Sequence, residues 1–82
     1  MPPQKKPHCI AFGNAVREFR IIIGVSQEEL AYRAEIHRTY IGGIERGERN
    51  PTLTMIVRLA AALEVPPHEL LKKSETARKS LK

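Results

Sequence analysis

The 82-residue chain has one cysteine, no tryptophan, two tyrosines and two phenylalanines, so aromatics are only 5% of it. A lone thiol, Cys9, closes no internal bridge. That excludes a disulfide scaffold and fits a reducing, intracellular setting. The scarcity of aromatics beside many Ile, Leu, Ala and Glu argues for a helical domain over a β-sandwich. Long apolar runs are missing as well. Ile21-Ile22-Ile23 and the run over 59–63 are both far short of the roughly 20 residues of a membrane span. No apolar segment follows Lys5 and Lys6, so no secretory signal is expected. The length allows one small domain and excludes scaffolds such as a TIM barrel of about 250 residues.

Charge is present, at a net +5, which invites a nucleic-acid reading. Its distribution weakens that argument. Residues 10–71 hold seven arginines against eight glutamates, while Lys5, Lys6, Lys72, Lys73, Arg78, Lys79 and Lys82 lie at the two ends. The basicity belongs to the tails, and the folded centre is near neutral. A membrane-surface peptide is disfavoured for the same reason, since no helix joins a basic face to an aromatic one.

Residues 1–9 include three prolines and two lysines and read as a disordered arm. A first helix is expected over about 10–23, with Phe12, Val16, Phe19 and Ile23 on one stripe and Gly24 as its C-terminal stop. Ser26 and Glu29 have the spacing of a capping box, starting a short helix over about 27–34 with Leu30, Ala31 and Ala34 inward. Glu35-Ile36-His37 breaks the pattern. A third helix follows over about 38–46, with Ile41, Ile44 and Glu45 on one face and Arg38, Thr39, Gly42, Gly43 and Arg46 on the other. Thr52 is suited to cap a fourth helix over 53–63, whose stripe is Leu53, Ile56, Leu59, Ala60 and Leu63. Pro66-Pro67 restarts the chain into a fifth helix over 67–73, anchored by Leu70 and Leu71. The basic segment 74–82 is a tail or an extension of that helix. No stretch signals a strand.

Two short helices across a three-residue break form a helix-turn-helix unit, here about 27–46. Its second helix must enter the DNA major groove. It therefore needs one apolar face to hold it and another of small or polar side chains. Residues 38–46 meet both demands. Gly42 and Gly43 each cost about 1 kcal/mol inside a helix relative to Ala, and a close approach of backbone to DNA would explain them.

The string Gly24-Val25-Ser26-Gln27-Glu28-Glu29-Leu30-Ala31, then Ile44-Glu45-Arg46-Gly47, Asn50-Pro51 and 59–65, resembles the Cro/repressor-type (xenobiotic-response-element) helix-turn-helix family. Residues 38–47 look most like the controller proteins of restriction–modification systems. The resemblance covers about residues 12–71 and implies an all-α, five-helix, lambda-repressor-like DNA-binding domain. It implies a cytoplasmic, bacterial, nucleoid-associated regulator of transcription, without catalysis or cofactor. Its partners would be a palindromic operator, a second copy of the chain and RNA polymerase.

Carried over by position, the resemblance makes Arg38, Thr39, Gly42 and Gly43 the base-reading positions, with reading reduced at the glycines. It makes Gln27, Tyr40, Arg46, Arg49 and Asn50 the phosphate-side positions, and Arg20 with Glu45 an ion pair within the domain. Arginine bridges guanine O6 and N7, and threonine offers a methyl and a hydroxyl. Plainer readings stand beside these: Gln27 as a helix cap, Arg46 with Glu48 and Arg49 as a solvated loop, Tyr40 as a packing residue. Glycine is frequent in the family where Glu35 stands, so the turn places Glu35 at positive φ under some strain. Val65, Leu70 and Leu71 are the expected dimer contacts. His8, His37 and His68 lack ligand spacing, so no metal site is expected. Other roles on the same fold are an antitoxin, a phage-type repressor, or a protein-interaction module with a degenerate DNA surface.

Overall fold

The computed structural model describes the backbone of residues 5–80 and the side chains of residues 5–76. It holds five helices: α1 (Pro7–Ile23), α2 (Gln27–Ala34), α3 (Arg38–Glu45), α4 (Leu53–Ala62) and α5 (Pro67–Ser80). No strand occurs among the described residues. The first four residues of the expected arm, and Leu81 and Lys82 of the tail, lie outside them.

Helix α1 begins at Pro7, three residues before the expected start at about residue 10. Pro7 occupies its first turn, where a missing amide costs nothing and φ is already helical. Cys9 is thereby carried into the interior, so 7–9 belong to the domain and not to the arm. Gly24 ends α1 in the left-handed region at φ 74°, a conformation glycine adopts without steric cost. Ser26 caps α2 by accepting from the Glu29 amide at 3.0 Å. The other half of the expected capping box is replaced, since the Glu29 carboxylate takes Arg33 at 3.1 Å. Thr52 caps α4 by accepting from the Met55 amide at 3.2 Å. Glu64 follows α4 at φ 63°, a left-handed residue with no sequence signal.

The interior forms one cluster in which Val16, Leu30, Ile41, Ile44, Leu59, Leu63 and Leu70 are fully buried. Helix α1 packs on both α5 and α3, and α2 packs on both α3 and α4. Phe12 and Val16 sit in the core, with Phe19 and Ile23 at its edge. Two expected positions fall elsewhere. Leu53, the first residue of α4, faces solvent, because the helix enters from the surface and its stripe turns inward only a turn later. Leu70 is sealed in its own domain's core while Leu71 stays about half-exposed. Leu70 therefore cannot meet a partner subunit, and Val65 lies at the edge of the same core. Helix α5 runs on to Ser80, so most of 74–82 extends the helix.

Candidate nucleic-acid interface

Helices α2 and α3 are joined through Glu35, Ile36 and His37. Glu35 lies at φ 56°, ψ 43°, the left-handed geometry expected for the turn. Ile36 is buried and pins the turn to the core. The His37 ring then starts α3, its Nδ1 accepting from the Thr39 amide at 3.1 Å. A histidine acting as a cap in this way was not signalled by the pattern.

The inner side of α3 is held by apolar contact and by charge. Ile41 and Ile44 are fully buried. Gly13 of α1 lets the helices touch: a Cβ there would run into the carbonyl oxygens of Ile44 and Glu45. Glu45 is the buried charged residue of the core. It receives Arg20 Nε at 2.7 Å and Arg20 Nη2 at 3.0 Å, a two-point fork with geometric specificity. Gln27 Nε2 donates to the same carboxylate at 3.0 Å, and Arg20 Nη1 donates to the Val25 carbonyl at 3.0 Å. The Glu45 hydrogen bonds raise Arg20 above the ordinary arginine pKa, burial opposes them, and the carboxylate's charge adds to the rise. Arg20 and Glu45 thus form the expected pair, and Gln27 joins it. One carboxylate ties the end of α1, the start of α2 and the end of α3 together.

The outer side is built differently. Arg38 and Thr39 are exposed on the first turn of α3. Arg38 Nη1 donates to Glu28 Oε1 of α2 at 2.8 Å. Arg46 Nε donates to Glu48 at 3.1 Å, and the Arg49 guanidinium lies 5.4 Å from the Tyr40 ring centre, within cation–π range. Tyr40 is half-buried against the core, and Asn50 is exposed in the loop after α3.

Gly42 and Gly43 depart from the expected outer face, for both are buried. A Cβ on Gly42 would meet Arg46 Nη1 at 3.0 Å, and one on Gly43 would meet Arg49 Cγ at 2.7 Å. The glycines therefore leave room for arginine side chains crossing the helix. Base reading at these two positions would require those arginines to move. Glu28 is the residue that sequence reasoning passed over. In the sequence it stands only as one member of the 24–31 string, whereas its carboxylate reaches across the turn to Arg38.

The helix-turn-helix family model matches residues 16–70 of the chain. The control protein C.BamHI of Bacillus amyloliquefaciens is 46% identical over 63 residues, covering 76% of this chain and 78% of that protein. The crystal structure of the restriction–modification controller protein C.AhdI from Aeromonas hydrophila superposes with a TM-score of 0.74 at 47% identity, over 76% of this chain and 94% of that one. The controller protein C.Esp1396I, solved as a tetramer in complex with its natural 35 base-pair operator, matches with a TM-score of 0.79 at 30% identity, over 87% of this chain and 93% of that one.

Proposed function

Because the chain belongs to the helix-turn-helix family, and within it to the restriction–modification controller proteins, we propose that it is a sequence-specific DNA-binding regulator of transcription. The observation that carries this is the outward first turn of α3. Arg38 and Thr39 project there from a helix whose other side is locked to the domain by Glu45. That is a rigid base-reading edge on a fixed support. Arg46, Arg49 and Asn50 flank it as phosphate ligands, and the Gln27 side chain stands at the α2 N-terminus beside them. Phosphate contacts set register while base contacts give specificity.

The protein acts by occupancy and makes or breaks no bond. Its working form is a homodimer on a palindromic operator, with the two α3 helices in successive major grooves about 34–36 Å apart. Occupancy then admits or excludes RNA polymerase in the bacterial cytoplasm. With Leu70 buried, the pairing surface centres on Leu71 of α5. This residue shares a shallow groove with Ile56 of α4, a turn away from exposed Leu53.

Selection of bound duplexes from random-sequence DNA tests the reading. A two-fold symmetric consensus, bound less tightly as salt rises, is the expected result. Equal affinity for every duplex would overturn it.

A further inference from the structure

The proposed reader of the site, Arg38, is already held. Its partner Glu28 lies in the preceding helix, ten residues earlier. The contact is one-sided: Glu28 Oε1 takes only Nη1. The Nε–Nη2 edge of the same guanidinium has no partner among the described residues. An edge of two parallel N–H groups is what a guanine presenting O6 and N7 accepts.

We infer that Glu28 is a positioning residue for base recognition. It anchors Arg38 by one nitrogen and leaves a bidentate edge for guanine. This rests on the DNA-binding reading above and adds how that site discriminates.

The reasoning turns on what each DNA group demands of Arg38. A guanine in the groove is read with the Glu28 contact kept, so the side chain arrives with less freedom to lose. Ordering a long side chain at an interface costs about 0.5–1.5 kcal/mol, and the pair has met part of that cost before DNA arrives. A backbone phosphate is a full anion that competes with the Glu28 carboxylate for the same cation. To reach it, Arg38 must leave Glu28, and the bare carboxylate then faces the phosphates it repels. Glu28 therefore favours the guanine contact and disfavours the phosphate contact. Arg46, held by Glu48 from within its own loop, shares the second restraint but not the first, since no base-reading position is assigned to it. Near-neutral charge over residues 10–71 fits this arrangement, because a surface that relied on net attraction would bind every sequence.

The test uses the full chain, the symmetric duplex selected by the wild-type protein, and a scrambled duplex of equal length. Affinities are measured by fluorescence anisotropy at one fixed salt concentration. Glu28→Ala should weaken the selected duplex roughly two- to fivefold, the range of an exposed ion pair. It should leave the scrambled duplex unchanged or bound more tightly, so the specificity ratio falls. In an Arg38→Ala background, Glu28→Ala should leave that ratio unchanged. A ratio that holds in the single variant would overturn the inference. So would a loss that persists without Arg38, since Glu28 would then act on DNA directly. Failure of the wild type to prefer any duplex would instead break the DNA-binding reading itself. Thermal unfolding of Glu28→Ala within about 2 °C of wild type, as expected for an exposed pair, would confirm that the fold is intact.

Discussion

Two arginine–glutamate pairs, one on each side of α3, have nearly the same length and opposite surroundings. Arg20 to Glu45 spans 2.7 Å, with the side chains 14% and 3% exposed. Arg38 to Glu28 spans 2.8 Å, with 65% and 72% exposed. Distance alone does not rank them. In the first pair both groups have left water, so each depends on the other. In the second both remain hydrated, and an exposed pair contributes about 0–1 kcal/mol. The inner pair holds the recognition helix in place, and the outer pair decides where one side chain on it points.

The largest expected effect lies on the inner side. Glu45→Ala removes the acceptor of three side-chain hydrogen bonds and leaves Arg20 charged and mostly buried. Breaking a buried pair from one side costs about 3–5 kcal/mol. Since Arg20 is not fully enclosed, about 3 kcal/mol is expected, read as a fall in denaturant midpoint at constant slope. The pH dependence has a defined sign. Arg20 is raised above its ordinary pKa by Glu45, so its contribution is complete below the ordinary value and is lost only as pH rises through the raised one. The stability gap between wild type and Arg20→Ala should therefore be flat through neutral pH into the mildly alkaline range. A gap that closes there would show that the arginine charge is not what stabilises the pair.

On the outer side the pattern should invert. Arg38→Ala should cost about 1–3 kcal/mol on the selected duplex, concentrated at one base pair, while the unfolding midpoint stays within about 0.5 kcal/mol of wild type. Unchanged base preference would remove Arg38 from reading.

Gln27 lies between the two sides, because its amide nitrogen is bound to Glu45 while its residue opens α2. Gln27→Ala should therefore do both things modestly. It should lower stability by about 1.5 kcal/mol, the worth of a hydrogen bond to a charged group at the low end, and weaken all duplexes alike. A loss confined to one base pair would place Gln27 with the base readers.

How much of this was readable from the sequence follows the same division. The inner side was readable because periodicity and caps report burial. The Phe12 and Val16 stripe, the Ser26 cap and the Gly24 stop are all present, whereas the Arg20–Glu45 pair, also present, was implied by the family resemblance and not by periodicity. Leu70 and Leu71 were not separable, because adjacent positions on a short helix differ by one step of rotation, and only the packing of α5 on α1 decides which is sealed. Gly42 and Gly43 were placed outward by helical spacing, which does not register that arginines from beyond the helix end fold back over them. Glu28 was missed because a contact across a turn depends on how two helix axes meet, and no periodicity encodes that. Gly13 was missed because a missing Cβ leaves no hydrophobic signature.

The smallest effect expected tests the turn that joins the two sides. Glu35 holds a left-handed conformation at φ 56°, which costs an L-residue about 1–2 kcal/mol. Glycine removes that strain but adds freedom to the unfolded chain, an opposing term of about 0.4–1 kcal/mol. Glu35→Gly should accordingly stabilise the domain by roughly 0.5–1 kcal/mol, a rise of a few degrees in unfolding midpoint for a chain of this size. Because the turn keeps its geometry, the relation of α2 to α3 is preserved and the ratio of selected to scrambled binding should not change. A lower midpoint would mean that the Glu35 side chain contributes more than its backbone costs. A changed ratio at an unchanged or higher midpoint would mean that the turn conformation, and not only the Glu28 contact, sets the direction of Arg38.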